Sequence, residues 1–216
     1  VIFVRRLHNP DDAGCTVLMR YTLRLLTVQQ FQRAASLICA CENIRKSYPV
    51  NKLGIEAISI GLWVGASLSP NKRDSAKQAL KSLLVSSNEG DNPFQIVKCP
   101  WCGTALNKKP IGYSKLNGTV KYICPEPRCD FSRKKKKTLP IFVIDEDIYD
   151  SPPTMIIGTV DKFAMLAWNS DAGSIFGNDD NSPPDLVIQD ELHLISGPVG
   201  TMVGLYESVI SDLCHD

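Results

Sequence analysis

Asp185-Leu186-Val187-Ile188-Gln189-Asp190-Glu191-Leu192-His193 is a short apolar run that ends in two carboxylates and a histidine. Its consecutive aliphatic residues read as a strand buried on both faces, and such strands belong to parallel sheets covered by helices. In sheets of that kind ligands bind at the carboxyl ends of the strands. Asp190 there is placed to hold Mg²⁺ over a nucleotide's phosphates, with Glu191 beside it to orient or deprotonate an attacking water. The plainer alternative is an acidic surface turn, and an Asp-Glu pair alone does not exclude it.

The rest of the chain repeats the pattern. Apolar, partly β-branched runs at 16–19, 55–64, 140–144 and 154–159 read as further strands. Between them, helical periodicity runs from Thr27, which with Gln30 forms a capping box, to about Tyr48, and again over 73–85, 161–168 and 199–213. Residues 86–93 and 171–184 are loops by composition. Strands alternating with helices predict an α/β fold with a parallel sheet and helices on both faces.

Two other segments stand at predicted strand ends. Tyr21-Thr22-Leu23-Arg24-Leu25-Leu26-Thr27-Val28-Gln29-Gln30 follows the first strand, and Gly158-Thr159-Val160-Asp161-Lys162-Phe163 closes the fourth and opens a helix. A threonine at a helix start offers a hydroxyl and backbone N–H groups to a phosphate, and Lys162 adds a charge. Taken singly, the second segment is an ordinary capped helix.

Together, in this order, the three segments resemble the Pro-Thr-Arg-x-Leu-x-x-Gln, Thr-Pro-x-Lys/Arg and DExH motifs of superfamily 2 helicases. The first departs from its pattern, with Tyr21 in place of Pro and one extra residue between Thr22 and Arg24. The segments at 20–26, 61–65 and 188–198 further resemble the helicase subunit of bacterial anti-phage systems of the DISARM type. The resemblance implies a RecA-like domain of the P-loop NTPase fold and ATP hydrolysis coupled to movement along nucleic acid, DNA ahead of RNA. It implies that Asp190 holds Mg²⁺ on ATP and that Glu191 positions water. His193 is then the residue that couples the ATP site to a second motor domain, although a histidine at a strand end is often structural. Thr22, Arg24, Gln29, Thr159 and Lys162 are implied to hold the nucleic-acid backbone.

A Gly-x-x-x-x-Gly-Lys-Ser/Thr loop is missing, and neither Lys72 nor Lys162 lies in a glycine loop of that form. A Ser-Ala-Thr motif and the second RecA-like domain are missing too. The chain begins Val1-Ile2-Phe3-Val4, read as a start in mid-strand, and ends Cys214-His215-Asp216 after a helical pattern. The expectation is a segment of a longer chain that carries the acidic half of an ATPase site and is inactive alone. Two other functions stay open. One is a metal-dependent nuclease using Asp190 and Glu191, for which Asp161 is the only further carboxylate in sight. The other is a non-enzymatic nucleic-acid-binding module.

That module would centre on residues 94–138, an insertion dividing the α/β part into 1–93 and 139–216. Cys99-Pro100-Trp101-Cys102-Gly103 is a C-x₂-C knuckle, and Cys124-Pro125-Glu126-Pro127-Arg128-Cys129 supplies a second pair at C-x₄-C spacing. Four thiolates in two such pairs predict a structural zinc ribbon with no open coordination position. With few large apolar side chains, the ribbon should draw most of its folding energy from the metal. Arg133-Lys134-Lys135-Lys136-Lys137 reads equally as a solvated linker and as a phosphate contact. Trp101, Tyr113 and Tyr122 could stack on bases or cover the ribbon's core.

Composition sets few limits. With 44% hydrophobic and 22% charged residues and a net charge of +1, the chain is ordinary for a globular protein. Its apolar runs fall short of the roughly 20 residues that span a bilayer, so no membrane partner is expected. Cys15, Cys39, Cys41 and Cys214 lie singly among apolar residues, as reduced buried cysteines do, which points to the cytoplasm.

Overall fold

The computed structural model describes the chain except residues 86–91, 107–112, 117, 168, 178–180, 191–199 and 215–216. Five strands form one parallel sheet: β1 (Val17–Tyr21), β2 (Ile60–Trp63), β5 (Ile141–Phe142), β6 (Met155–Thr159) and β7 (Leu186–Gln189). Their spatial order is β5-β2-β6-β1-β7. A separate antiparallel hairpin, β3 (Tyr113–Leu116) and β4 (Thr119–Tyr122), lies between β2 and β5 in the chain.

Successive side chains of a strand point to opposite faces, and both faces here are apolar. On one, Ile60, Leu62 and Ile157 pack with Phe31, Ala35 and Ile38 of α2 (Arg24–Ser47) and with Ala76, Leu80 and Leu83 of α4 (Arg73–Val85). On the other, Leu18, Trp63 and Ile156 pack with Ile148 of α5 (Asp145–Asp150), Phe163 of α6 (Val160–Phe163) and Ile210 of α7 (Gly200–Cys214). Each such large aliphatic or aromatic side chain, taken from water to full burial, stabilises by about 1.5–3 kcal/mol. The α/β class, with helices on both faces of a parallel sheet, is therefore the one the alternating pattern predicts. Gly158 makes the centre of that sheet possible, because a Cβ there would stand 2.9 Å from the Trp63 carbonyl oxygen.

Several expectations need correction. Residues 2–8 are not a strand but a helix, α1 (Ile2–His8). Arg5 and Arg6 face inward while Val1, Val4 and Leu7 stay exposed, an inversion of the usual apolar-in pattern. Arg5 is held by Asp12 (2.8 Å), Asp185 (3.0 Å) and the carbonyls of Ser182 and Pro183. The helix of residues 24–47 begins three residues before Thr27. Thr27 therefore caps nothing, and its buried hydroxyl donates back to the Leu23 carbonyl at 2.8 Å. The stretch read as a polar loop over 171–184 contains a 3₁₀-helix, Ser170–Phe176, whose Ala172, Ile175 and Phe176 are buried. A further short helix, α3 (Val50–Leu53), ends at Gly54, whose φ of 76° and closeness to the Pro10 carbonyl leave no room for a side chain.

Residues 94–138 share their core with the sheet. Phe94, Ile96, Tyr122 and Phe131 are buried in the same cluster as Phe31, Ile38 and Ile60. Burial against α2 and α4 thus supplements whatever a metal contributes. Among the described residues no helix is long and apolar enough to cross a membrane.

Candidate functional site

The parallel register brings distant segments together. Tyr21 pairs with Thr159 between β1 and β6, and Arg20 pairs with Gln189 between β1 and β7. Thr22 and Asp190 therefore follow β1 and β7, and Thr159 ends β6, all three at the carboxyl end of the sheet. Asp190 is exposed, and its backbone N–H donates to the Arg20 carbonyl at 3.0 Å. Its charge, after burial, contributes to raising the pKa of Tyr21. The Gln189 amide donates to the Asp190 carbonyl at 2.6 Å and the Arg20 carbonyl at 3.4 Å, and so holds the strand end in place.

The hydroxyls of Thr22 and Thr159 are enclosed and have no hydrogen-bond partner among the described residues. Thr159 is fully buried and Thr22 half-buried. Buried polar groups are nearly always paired, and these two unpartnered hydroxyls lie at the carboxyl ends of the neighbouring strands β1 and β6. Gln29 is exposed on the second turn of α2. The backbone of Arg24 opens α2. Glu191 and His193 lie outside the described residues.

Lys162 is buried, and its ammonium sits 2.5 Å from Asp145. That carboxylate follows β5, and no motif in the sequence announced it. Burial raises the Asp145 pKa, although the neighbouring Lys162 opposes the shift. The same pocket of side chains contains Tyr149, whose hydroxyl accepts from the Trp63 indole at 2.9 Å. Arg20 also went unread: it is buried, pairs with Glu207 of α7 at 2.7 Å and lies 5.4 Å from the centre of the Phe163 ring. Arg20 thereby ties α7 to β1, and Lys162 ties α6 to the start of α5.

The second centre is the cysteine cluster. The Sγ atoms of Cys99, Cys102, Cys124 and Cys129 all lie within 4.8 Å of one another. Cys99 and Cys129 are 3.9 Å apart, and Cys102 and Cys124 are 3.5 Å apart. Tetrahedral zinc with Zn–S bonds of about 2.3 Å requires sulfur–sulfur separations of about 3.8 Å, so the donor set and its spacing fit zinc. Each knuckle is shaped by its own backbone. The Cys99 N–H donates to Thr104, and Gly103, at φ 77°, donates to Cys99. The Cys124 N–H donates to Phe131, and Cys129 to Glu126. Burial opposes ionisation at Cys102, but bonds from Thr104 and the neighbouring thiols outweigh it and bring the pKa down to about 7. Burial raises the pKa of Cys124 and takes that of Cys129 up to about 11, so a bound cation would be what holds those two as thiolates.

Asn43 of α2 donates to Asp130 at 3.5 Å, and the Trp101 indole donates to the same carboxylate at 3.2 Å. Tyr122 is buried with its hydroxyl on the Phe94 carbonyl, so of the two roles open to it the structure gives it the core one. Trp101 is partly exposed and packs edge-on against Phe131. The four remaining cysteines are free thiols; Cys15 and Cys39 are buried, and burial pushes both up to about 12. Among the described residues the four-cysteine cluster is the one group of three or more His, Cys, Asp or Glu side chains close enough to hold a metal.

No protein-family model matches the chain. It is similar to the DISARM protein DrmA of Bacillus paralicheniformis, with 37% identity over 240 aligned residues. The match takes in 94% of this chain and 21% of that protein, so the chain spans about a fifth of the length of the relative it resembles.

Proposed function

We propose that this chain is part of the first RecA-like domain of an ATP-dependent superfamily 2 helicase or translocase that serves bacterial anti-phage defence. The observation that carries the reading is the meeting of three motifs, widely separated in sequence, at the carboxyl ends of the adjacent strands β6, β1 and β7. The similarity to DrmA supports the defence setting. In the intact protein, ATP and Mg²⁺ supply the phosphoryl chemistry. Asp190 would hold the cation and Glu191 the attacking water, with His193 linking the site to a second motor domain. Thr22, Gln29 and Thr159, with Arg24, would meet the nucleic-acid backbone. Lys162 acts through Asp145, as a positioning residue that fixes the start of α6 under Thr159.

The domain plan is one α/β body, 1–93 and 139–216, carrying the zinc ribbon of 94–138. β7 forms an edge, paired with β1 alone among the described residues, and Ile188 on it is 36% exposed. An open edge of that kind suits further strands, among them the one bearing the phosphate-binding loop. The nuclease alternative lacks support among the described residues, where no carboxylate cluster converges on Asp190.

ATP hydrolysis by the full-length gene product tests the proposal. Asp190→Asn is expected to lower the rate at least 100-fold with zinc content unchanged. A variant that hydrolyses ATP as fast as the parent would overturn the assignment.

A further inference from the structure

The end of the sheet opposite Asp190 carries its own concentration of charge. A groove of about 310 Å³ opens beside the amino ends of β2 and β5, between the last turns of α2 and the stretch leaving the cysteine ribbon. Lys46, Lys121, Lys136 and Lys137 line it, against Glu42 and Glu56. Glu42 is already saturated: it accepts from Arg45 at 2.7 and 3.0 Å, from Lys46 at 3.0 Å and from the Ile58 N–H at 2.8 Å. Glu56 is exposed to solvent.

Lys46 is thus paired with Glu42, whereas the other three lysines are not so compensated. Lys121 is half-buried, and its ammonium lies 4.2 Å from the centre of the Phe142 ring. No carboxylate pairs with it among the described residues. Burial lowers its pKa, opposed by the charge of Asp147, which Arg73 holds at 2.7 Å. Lys136 and Lys137 are exposed and likewise form no ion pair among the described residues. They lie in a tight turn in which the N–H groups of Lys135 and Lys137 both donate to the Ser132 carbonyl, and Lys136 adopts a left-handed φ of 53°. Keeping a partly desolvated ammonium without a counter-ion is costly. An anion entering the groove would offset that cost while meeting three unpaired cations at once.

We propose that this groove binds the backbone phosphates of a nucleic acid, giving the protein a second contact between its cysteine ribbon and α2, at the far end of the sheet from Asp190. The inference rests on the nucleic-acid motor reading above and adds a named site to it. The groove meets phosphate, so it positions the strand without reading its sequence.

The test is fluorescence anisotropy of a labelled oligodeoxythymidylate of about 20 nucleotides with the zinc-loaded full-length gene product, across about 50 to 200 mM salt. Lys136→Gln with Lys137→Gln is expected to weaken binding five-fold or more. The salt slope should fall by about 1.4, because each single-strand phosphate left without its lysine lowers it by about 0.7. Lys121→Gln should weaken binding in the same direction. Lys77→Gln with Lys81→Gln, removing the same charge from α4, should change little; an equal weakening there would show diffuse attraction and overturn the site. Gln29→Glu reports on the carboxyl edge separately. Weakening by Gln29→Glu with the groove variants unaffected overturns the groove and leaves the motor reading standing. No binding by the full-length parent overturns both.

Discussion

Thr159 is fully buried, and its hydroxyl has no partner among the described residues. A side chain kept for stability would not leave a hydroxyl in that state, since an unmade buried bond costs about 1–3 kcal/mol. Thr159→Val is therefore expected to leave the thermal midpoint unchanged or higher. A drop of several degrees would mean that the hydroxyl has a structural partner. Glu42 is the opposite case, a buried carboxylate held on all sides by donors. Burial alone would raise its pKa, but Arg45, Lys46 and the Ile58 N–H hold it below its ordinary value of 4.5. A carboxylate depressed on folding stabilises above its unfolded pKa, and that contribution disappears as pH falls through the folded value. Glu42→Gln should cost about 3 kcal/mol near neutrality. Urea unfolding should show the gap between parent and variant narrowing as pH drops below 4.5. A gap that stays constant through strongly acidic pH would contradict the assignment.

Elements were legible where the local pattern and the tertiary role agree. Residues 73–85 form the helix that Ala76, Leu80 and Leu83 announce, because those residues face the sheet. Residues 2–8 do not read as a helix because the inward face of α1 is cationic: Arg5 and Arg6 are buried, and Arg5 is held by carboxylates and carbonyls, several of them distant in sequence. Likewise the 3₁₀-helix at 170–176 buries only three side chains, scattered among polar ones. The cysteine centre was legible because knuckle geometry is local. Its anchorage was not, because α2 and the ribbon meet only in the folded chain, through Asn43, Asp130 and the shared cluster around Phe131. That shared core has a consequence for the metal. One zinc per chain is expected, absent from Cys99→Ser with Cys102→Ser. Chelation should lower the thermal midpoint by about 10 °C or more, because a loss of several kcal/mol counts about 2–4 °C each in a chain of this size. An unchanged midpoint after complete metal removal would show that the ribbon's packing on α2 holds without it.

At the scale of the whole molecule, the carboxyl edge gathers Thr22, Thr159 and Asp190, and the opposite end carries the lysine groove. The motifs can be recognised one by one along the chain, but their convergence is a property of the strand order β6-β1-β7. Lys162 shows the limit of such recognition. Its spacing suggests a backbone contact, whereas the fold commits its charge to Asp145. The most direct measurement is the acceleration of ATP hydrolysis by single-stranded DNA in the full-length gene product, compared with the Thr22→Val, Thr159→Val double variant. If the three strand ends form one motor edge, DNA speeds hydrolysis in the parent and the double variant loses at least tenfold of that acceleration. Equal acceleration in both proteins, or no hydrolysis by the parent, would contradict the account.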